Sequence, residues 1–506
     1  MSSLLTHLAR YRPFRAMVVG DFMLDQHIHG AAERLSPDAP VPVLHATRFE
    51  NSAGGAGNVA RFLCALKGEV LCVGVTGGDA ESVTLRKALT DTGCDVSGLL
   101  ADPARPTTIK RSLIGLAQHR HPQKMFRVDI ESRDPLASDI ESRLFDFVRQ
   151  RLNSVDVICL EDYNKGVCTL ELCQSLITLA RQRGKPVLVD PAAIDDYAKY
   201  RGATVITPNR SEAELATHLD TPLEATDAHN ELMARLLLDS LALDAVVLTL
   251  DRHGAMLALP GRPPLAIPTV ARNVYDVTGA GDMVLAALAG GLANGFDWPD
   301  AVRFANAAAG LEVEAFGSQA IPFSRVHRSV MQQLRGHNGK VRTMEDLLVE
   351  LAVHREAGER IVLTNGCFDV IHAGHVDYLR EARRQGDVLV VAVNSDAQVQ
   401  ALKGHGRPVY TEPERLAILG ELNCIDYLVT FDDRTAHRMI ETIRPDIYVK
   451  GGDYRPQDVA EYDLLKPMMD RGEIEFRTLA HRPGLSSTEV IARFVRAYGP
   501  GETGHH

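Results

Sequence analysis

The segment TNGCFDVIHAGHVDYL, residues 364–379, sets His372 and His375 three apart with Gly374 between them, just after a short apolar run. At the start of a helix, residues three apart share one face. Two imidazoles there can donate to phosphate oxygens, whereas two histidines alone make an incomplete zinc site. Far upstream, DVTGAGD at 276–282 passes from turn-forming residues into an apolar helix. Gly279, Ala280 and Gly281 let backbone N–H groups approach an anion, and the helix N-terminus adds its positive end. Asp282 would then lie beside a transferring phosphoryl group and accept a proton from an attacking hydroxyl. On spacing alone, an aspartate-capped turn before a buried helix serves equally well. GGAGNVA at 54–60 shifts the balance: Gly54, Gly55 and Asn58 can meet a polyol closely, with Asp21 and Asp25 expected at the end of the first strand, where open α/β sheets gather ligands.

The elements that must hold these residues are written in short β-branched runs. They start at Ala16, Val70, Val155, Pro186, Ala203 and Ala245, and helix-like stretches separate several of them. This alternation predicts a parallel sheet with crossover helices. Residues 26–47 and 105–130 break the rhythm and read as a small β flap, supplying Lys110, Arg111, Arg120, Lys124 and Arg127 for a phosphorylated sugar. After Phe316 periodicity decays, placing a linker at 326–342 between a domain of residues 1–325 and one of 343–506. A helix is expected to start near Thr343, capped by that residue with Asp346. Runs at Ile361, Val388, Tyr427 and Asp446 predict a second, shorter parallel sheet.

Composition supports two folded α/β domains. The chain has 506 residues, 45% of them apolar and 24% charged, as in ordinary globular proteins. A net charge of −11 disfavours nucleic acid as a partner. The eight cysteines include no C-x-x-C pair, so reduced structural thiols and a cytoplasmic location are expected. The N-terminus lacks the pattern of a signal peptide, and no apolar stretch is long enough to insert in a membrane.

Residues 12–320 resemble the ribokinase-like carbohydrate kinases through GGAGNVA, DYNKG at 162, TPNRSE at 207 and DVTGAGD. The resemblance implies that Asp282 is the catalytic base, that Gly279 to Gly281 form the anion hole, and that Asn209 and Glu212 organise Mg-ATP. An asparagine and a carboxylate three residues apart can hold hydrated Mg²⁺ from one helical face. Lys165 is assigned to nucleotide phosphate, and Asp25, Gly54, Gly55, Asn58, Lys110 and Arg127 to the sugar. The sequence departs from the family at DPAA, residues 190–193, where a lysine is common, and at Met283.

Residues 358–495 resemble the nucleotidyltransferases of cytidylyltransferase type. Their H-x-G-H signature appears here with Asn365, Gly366, Phe368 and Asp369, and with VNSDAQVQALKG at 393, VKGGDY at 449 and GLSSTEVI at 484. The resemblance implies that His372 and His375 stabilise charge on the ATP phosphates during in-line attack. Lys403, Lys450, Ser486, Ser487 and Thr488 are assigned to phosphate, with Arg407 and Asp453 as weaker candidates.

The implied architecture is a ribokinase-like domain with a small β lid, followed by a smaller Rossmann-like nucleotidyltransferase domain. In this order the halves resemble the bifunctional heptose 7-phosphate kinases and heptose 1-phosphate adenylyltransferases of bacterial lipopolysaccharide synthesis. That resemblance implies heptose phosphates and ATP as small-molecule partners, Mg²⁺ as cofactor, and a homodimer or higher homo-oligomer. Two alternatives stay open. One is another sugar kinase joined to a cytidylyltransferase acting on a polyol phosphate; the other is a sensor that binds these ligands without turnover.

Overall fold

The computed structural model describes residues 3–116, 123–221, 226–269, 278–314, 317–334, 339–452 and 455–479. The chain divides between Val330 and Met331 into two compact units.

In the first unit, β1 (Phe14–Gly20) leads through Asp21 into β2 (Phe22–Leu35), which turns back as β3 (Pro42–Gly55). The remaining strands are β4 (Gly68–Thr76), β5 (Asp95–Ala101), β6 (Thr108–Leu116), β7 (Gln123–Ile130), β8 (Val157–Glu161), β9 (Val187–Asp190), β10 (Val205–Ile206), β11 (Ala245–Thr249), β12 (Ala255–Ala258) and β13 (Leu265–Ile267). They form a nine-stranded sheet in the order β13-β12-β11-β10-β9-β8-β1-β4-β5. It is parallel except for β12 and β13. A separate four-stranded sheet, β3-β2-β6-β7, is the expected flap.

The large sheet is buried on both faces, as parallel sheets require. Successive residues of β1 part accordingly: Val18 joins a core with Phe62 and Leu285, while Met17 and Val19 join another with Leu144 and Leu176. The helix Ala280–Ala293 is apolar on all sides, with Met283 through Gly291 buried. Such a helix must lie inside the protein, and it carries Asp282 with it. The antiparallel edge β12-β13 was not foreseen, because AMLA and LAI are too short to show a period of two.

In the second unit, β14 (Val341–Arg342), β15 (Ile361–Gly366), β16 (Val388–Asn394), β17 (Tyr427–Phe431), β18 (Ile447–Gly451) and β19 (Glu475–Leu479) form a parallel sheet ordered β14-β17-β16-β15-β18-β19. The helix Met344–Glu356 starts as expected, with the Thr343 side chain accepting from the Asp346 N–H. The stretch read as a linker is largely structured. A helix spans Phe323–Leu334, and Val341–Arg342 pairs with β17. Phe323, Val326 and Val330 bury one side of that helix in the first unit's core; its polar residues hid a helical spacing. Among the described residues, no helix is long and apolar enough to cross a membrane.

Candidate active sites

In the first unit the carboxyl ends of β1, β8 and β9 and the start of the helix Ala280–Ala293 converge. Gly279 caps this helix at φ +100°, where a Cβ would stand 2.7 Å from the Ser318 hydroxyl. The first intrahelical bond to the cap runs from the Met283 N–H to the Gly279 carbonyl, so the amides of Ala280 and Gly281 precede the ladder and suit an anion. The Asp282 carboxyl is buried, accepting from the Asn58 amide at 3.1 Å and the Tyr163 hydroxyl at 3.1 Å. Burial pushes its pKa up to about 6 against these two hydrogen bonds.

Two cavities meet at this helix start. One, of about 380 Å³, is lined by Asp25, Asn58, Lys110, Arg127, Tyr163 and Asp282 among others. The other, of about 690 Å³ and more apolar, is lined by Asn209, Thr249, Ala280, Gly281, Val284 and Asn306 among others. Asp282 therefore looks into the polar cavity, and the Gly281 amide into the larger one. Asp25 lies four residues into β2 rather than at the end of β1. Gly54 makes room for it, since a Cβ there would fall 2.2 Å from its carboxylate. Gly55, at φ +55°, would meet the Asp21 carbonyl at 2.6 Å. The Lys110 ammonium lies 4.4 Å over the Tyr163 ring. Arg127 lines the polar cavity while paired with Asp129 at 2.8 Å. Asp21 is buried and holds the DYNKG loop by accepting from the Tyr163, Lys165 and Val167 amides.

At three of the expected nucleotide ligands the side chains have protein partners. Lys165 does not reach the larger cavity: its ammonium pairs with Glu131 at 2.6 Å. Asn209 and Glu212 close a capping box on the helix Arg210–Thr217, each side chain bonded to the other's backbone N–H at 3.0 and 2.8 Å. Among the described residues, the carboxylates that gather as metal ligands would are Glu161, Asp190 and Asp282, with ligand atoms within 4.8 Å of one another. Burial raises the pKa values of Glu161 and Asp190 well above the usual range, helped by the charges of Asp190 and Asp282 on Glu161 and of Glu212 and Asp282 on Asp190, and one Glu161 oxygen lacks a hydrogen-bond partner. A cation would relieve both costs, so this group fits Mg²⁺. Sequence reasoning missed Glu161, Asp190 and Tyr163. The available signal was that both carboxylates end apolar runs now paired as adjacent parallel strands.

In the second unit, His372 caps the helix Ala373–Arg383 and His375 occupies its third position. Their ring centroids are 3.9 Å apart, and the His372 N–H donates to His375 Nδ1 at 3.4 Å. A cavity of about 560 Å³ opens beside them, lined by Asn365, Gly366, His375, Lys403, Arg434 and Lys450 among others. The Asn365 side-chain oxygen accepts from Tyr448 at 2.7 Å and from Lys450 at 2.8 Å. Burial lowers the pKa of Lys450, and the nearby Glu461 carboxylate opposes that shift. Arg434, Thr435 and Glu461 were missed, because no short motif marks them.

Asp369 and Phe368 both pack against protein groups. Asp369 is fully buried, with one oxygen accepting from the Val409 N–H at 2.6 Å and the other from Arg407 at 2.5 Å. Its carboxylate fastens the segment that carries Lys403 and Arg407 and does not present itself to phosphate. Phe368, at φ +48°, is buried with its ring 5.5 Å from His375, and it lines the same cavity. Arg415, also fully buried, donates to the carbonyls of Cys367 at 2.6 Å and Asn394 at 2.8 Å, pinning the turn between β15 and the histidines. Arg120, Asp453, Ser486, Ser487 and Thr488 lie outside the described residues.

The pfkB family of carbohydrate kinases matches residues 14–324, and the cytidylyltransferase-like family matches residues 363–493. The bifunctional protein HldE of Geobacter metallireducens is 43% identical over 97% of this chain and 98% of its own length. That of Geobacter sulfurreducens is 42% identical over 96% of each. Phosphofructokinase-2 from Escherichia coli, in its structure with potassium, superposes with a TM-score of 0.52 at 18% identity, covering 64% of this chain and all of its own; at that identity the likeness speaks for the fold. The chain belongs to the bifunctional HldE family, a carbohydrate kinase and a nucleotidyltransferase in one polypeptide.

Proposed function

We propose that the first unit transfers the γ-phosphoryl group of ATP to the C1 hydroxyl of D-glycero-β-D-manno-heptose 7-phosphate, and that the second transfers an adenylyl group from ATP to heptose 1-phosphate. The products are the 1,7-bisphosphate and ADP from the first reaction, and ADP-heptose and pyrophosphate from the second. The observation that carries the kinase reading is the position of Asp282 between a polar and a more apolar cavity, at the start of a helix whose first amides precede its ladder.

In the first reaction the sugar occupies the polar cavity. Asp25 accepts from its hydroxyls, while Lys110 and Arg127 meet its phosphate. ATP occupies the larger cavity, its γ-phosphate toward the amides of Gly279, Ala280 and Gly281. Asp282 takes the proton of the C1 hydroxyl as that oxygen attacks phosphorus, and ADP leaves. Asn58 and Tyr163 hold the carboxylate still during the transfer. Glu161 and Asp190, rather than Asn209 and Glu212, would hold Mg²⁺ beside Asp282. When bound there, the cation neutralises charge on the transferring group.

In the second reaction His375, His372, Lys403 and Lys450 surround the phosphates and offset the charge that grows on them as the sugar phosphate attacks the α-phosphorus. The protein forms no covalent bond to substrate. A homodimer is supported by the large apolar side chains exposed on the four-stranded sheet, among them Phe49 and Phe126, which are 69% and 66% exposed.

The test is incubation of the protein with heptose 7-phosphate and ATP, and separately with heptose 1-phosphate and ATP, following products by mass. A bisphosphate in the first and ADP-heptose in the second are expected. Pyrophosphate release with CTP but not ATP would overturn the adenylyl assignment.

A further inference from the structure

Three thiols meet in the core of the first unit, and none of them lines the two cavities at the start of the helix Ala280–Ala293. Cys64 lies near the end of the helix Ala56–Ala65, Cys72 lies in β4, and Cys94 immediately precedes β5. The sulfurs of Cys64 and Cys94 are 3.5 Å apart. Cys72 and Cys94 are buried, and Cys64 is half-buried. Among the described residues, these thiols do not form a group of three with mutually close ligand atoms, as Glu161, Asp190 and Asp282 do. A three-thiolate metal site is thus disfavoured, while a two-sulfur bond needs closure only to about 2 Å.

The helix that bears Cys64 also bears two residues connected to the reaction. Arg61 donates to the Asn58 side-chain oxygen at 3.0 Å and to the Ala53 carbonyl at 3.3 Å. The Asn58 amide in turn donates to Asp282 at 3.1 Å. Arg61 also faces Cys94. Hydrogen bonds from Cys64 and Cys72 hold the Cys94 thiol below its ordinary range, with Arg61 adding to the effect against the opposing cost of burial. The hydrogen bond to Cys94 and burial hold the Cys64 thiol above its ordinary range, but Cys64 is the sulfur that solvent reaches, so it meets a small disulfide first and Cys94, 3.5 Å behind it, resolves it.

We propose that Cys64 and Cys94 form a modification site for small-molecule disulfides of the oxidised-glutathione class, and that their internal disulfide slows the kinase through Arg61 and Asn58. Cys64 attacks one sulfur of R–S–S–R as its thiol proton passes to the expelled RS⁻. The Cys94 thiolate then attacks the Cys64 sulfur and expels the second RS⁻. The two protein thiol protons leave with the two thiolates as RSH, so the protein loses two electrons and the small disulfide gains them. Closing the bond draws the end of the helix toward Cys94, and Arg61 and Asn58 on the same helix move with it. The donor network on Asp282 is disturbed as a result.

The effect on rate rests on the reading of Asp282 as base; formation of the disulfide does not. The full-length protein is incubated with oxidised glutathione, and peptide masses and both activities are followed. A peptide pair joined through Cys64 and Cys94 is expected, with kinase turnover down roughly tenfold, as for loss of one hydrogen bond to a charged group. Adenylyl transfer should be unchanged, and dithiothreitol should restore the kinase. C64S and C94S should each keep the kinase rate in oxidant. Absence of the joined peptides, a joined pair without loss of rate, or equal slowing of both serine variants overturns the proposal. D282N assayed without oxidant reports separately on the base.

Discussion

A carboxylate accepts a proton only while ionised, and burial sets where that holds for Asp282. With its pKa pushed up to about 6, the proposed base is protonated below that pH and charged above it. Kinase kcat/KM is therefore expected to rise about tenfold per pH unit on the acid side and level off above pH ~6; a profile flat from pH 5 to 8 would remove Asp282 from that role. D282N should lower sugar phosphorylation by roughly 10²–10⁴-fold while leaving adenylyl transfer intact, measured with each substrate separately. H375A should do the reverse, lowering adenylyl transfer roughly 10²-fold or more, the scale of one lost charge-stabilising donor.

At the scale of elements, each site depends on one backbone corner. Gly279 occupies a left-handed conformation that leaves no room for a Cβ beside Ser318. Gly279→Ala should therefore cost roughly 1–3 kcal/mol of strain and slow the kinase more than it lowers the unfolding midpoint. In the second unit the corner is fastened from below by Asp369, which ties the turn after β15 to the segment carrying Lys403 and Arg407. Asp369→Ala leaves a partly buried guanidinium without its partner. It should destabilise that unit by about 3 kcal/mol, read in urea unfolding, with the kinase rate unchanged.

For the whole molecule, two compact units with separate cores predict two unfolding transitions rather than one. Heptose 7-phosphate at about 100 times its Kd should raise the kinase transition by about 2.7 kcal/mol and leave the other where it was. A single transition shifted as a block would contradict independent sites.

Sequence by itself determined the parts of the protein that are local. A β-branched run followed by glycines and a helix fixes a strand-to-helix corner, so both phosphate-facing turns, the flap and the two α/β halves were legible. Helix periodicity likewise placed His372 and His375 on one face. Residues brought together from distant strands were decided only by the tertiary structure. Glu161 and Asp190 face Asp282 because β8 and β9 are neighbours beneath the same helix, a relation that no spacing records. The partners of single side chains were decided in the same way. The buried Lys165 and Asp369 bond to protein groups that the fold sets beside them, while Asn209 and Glu212 close a capping box at an exposed helix start.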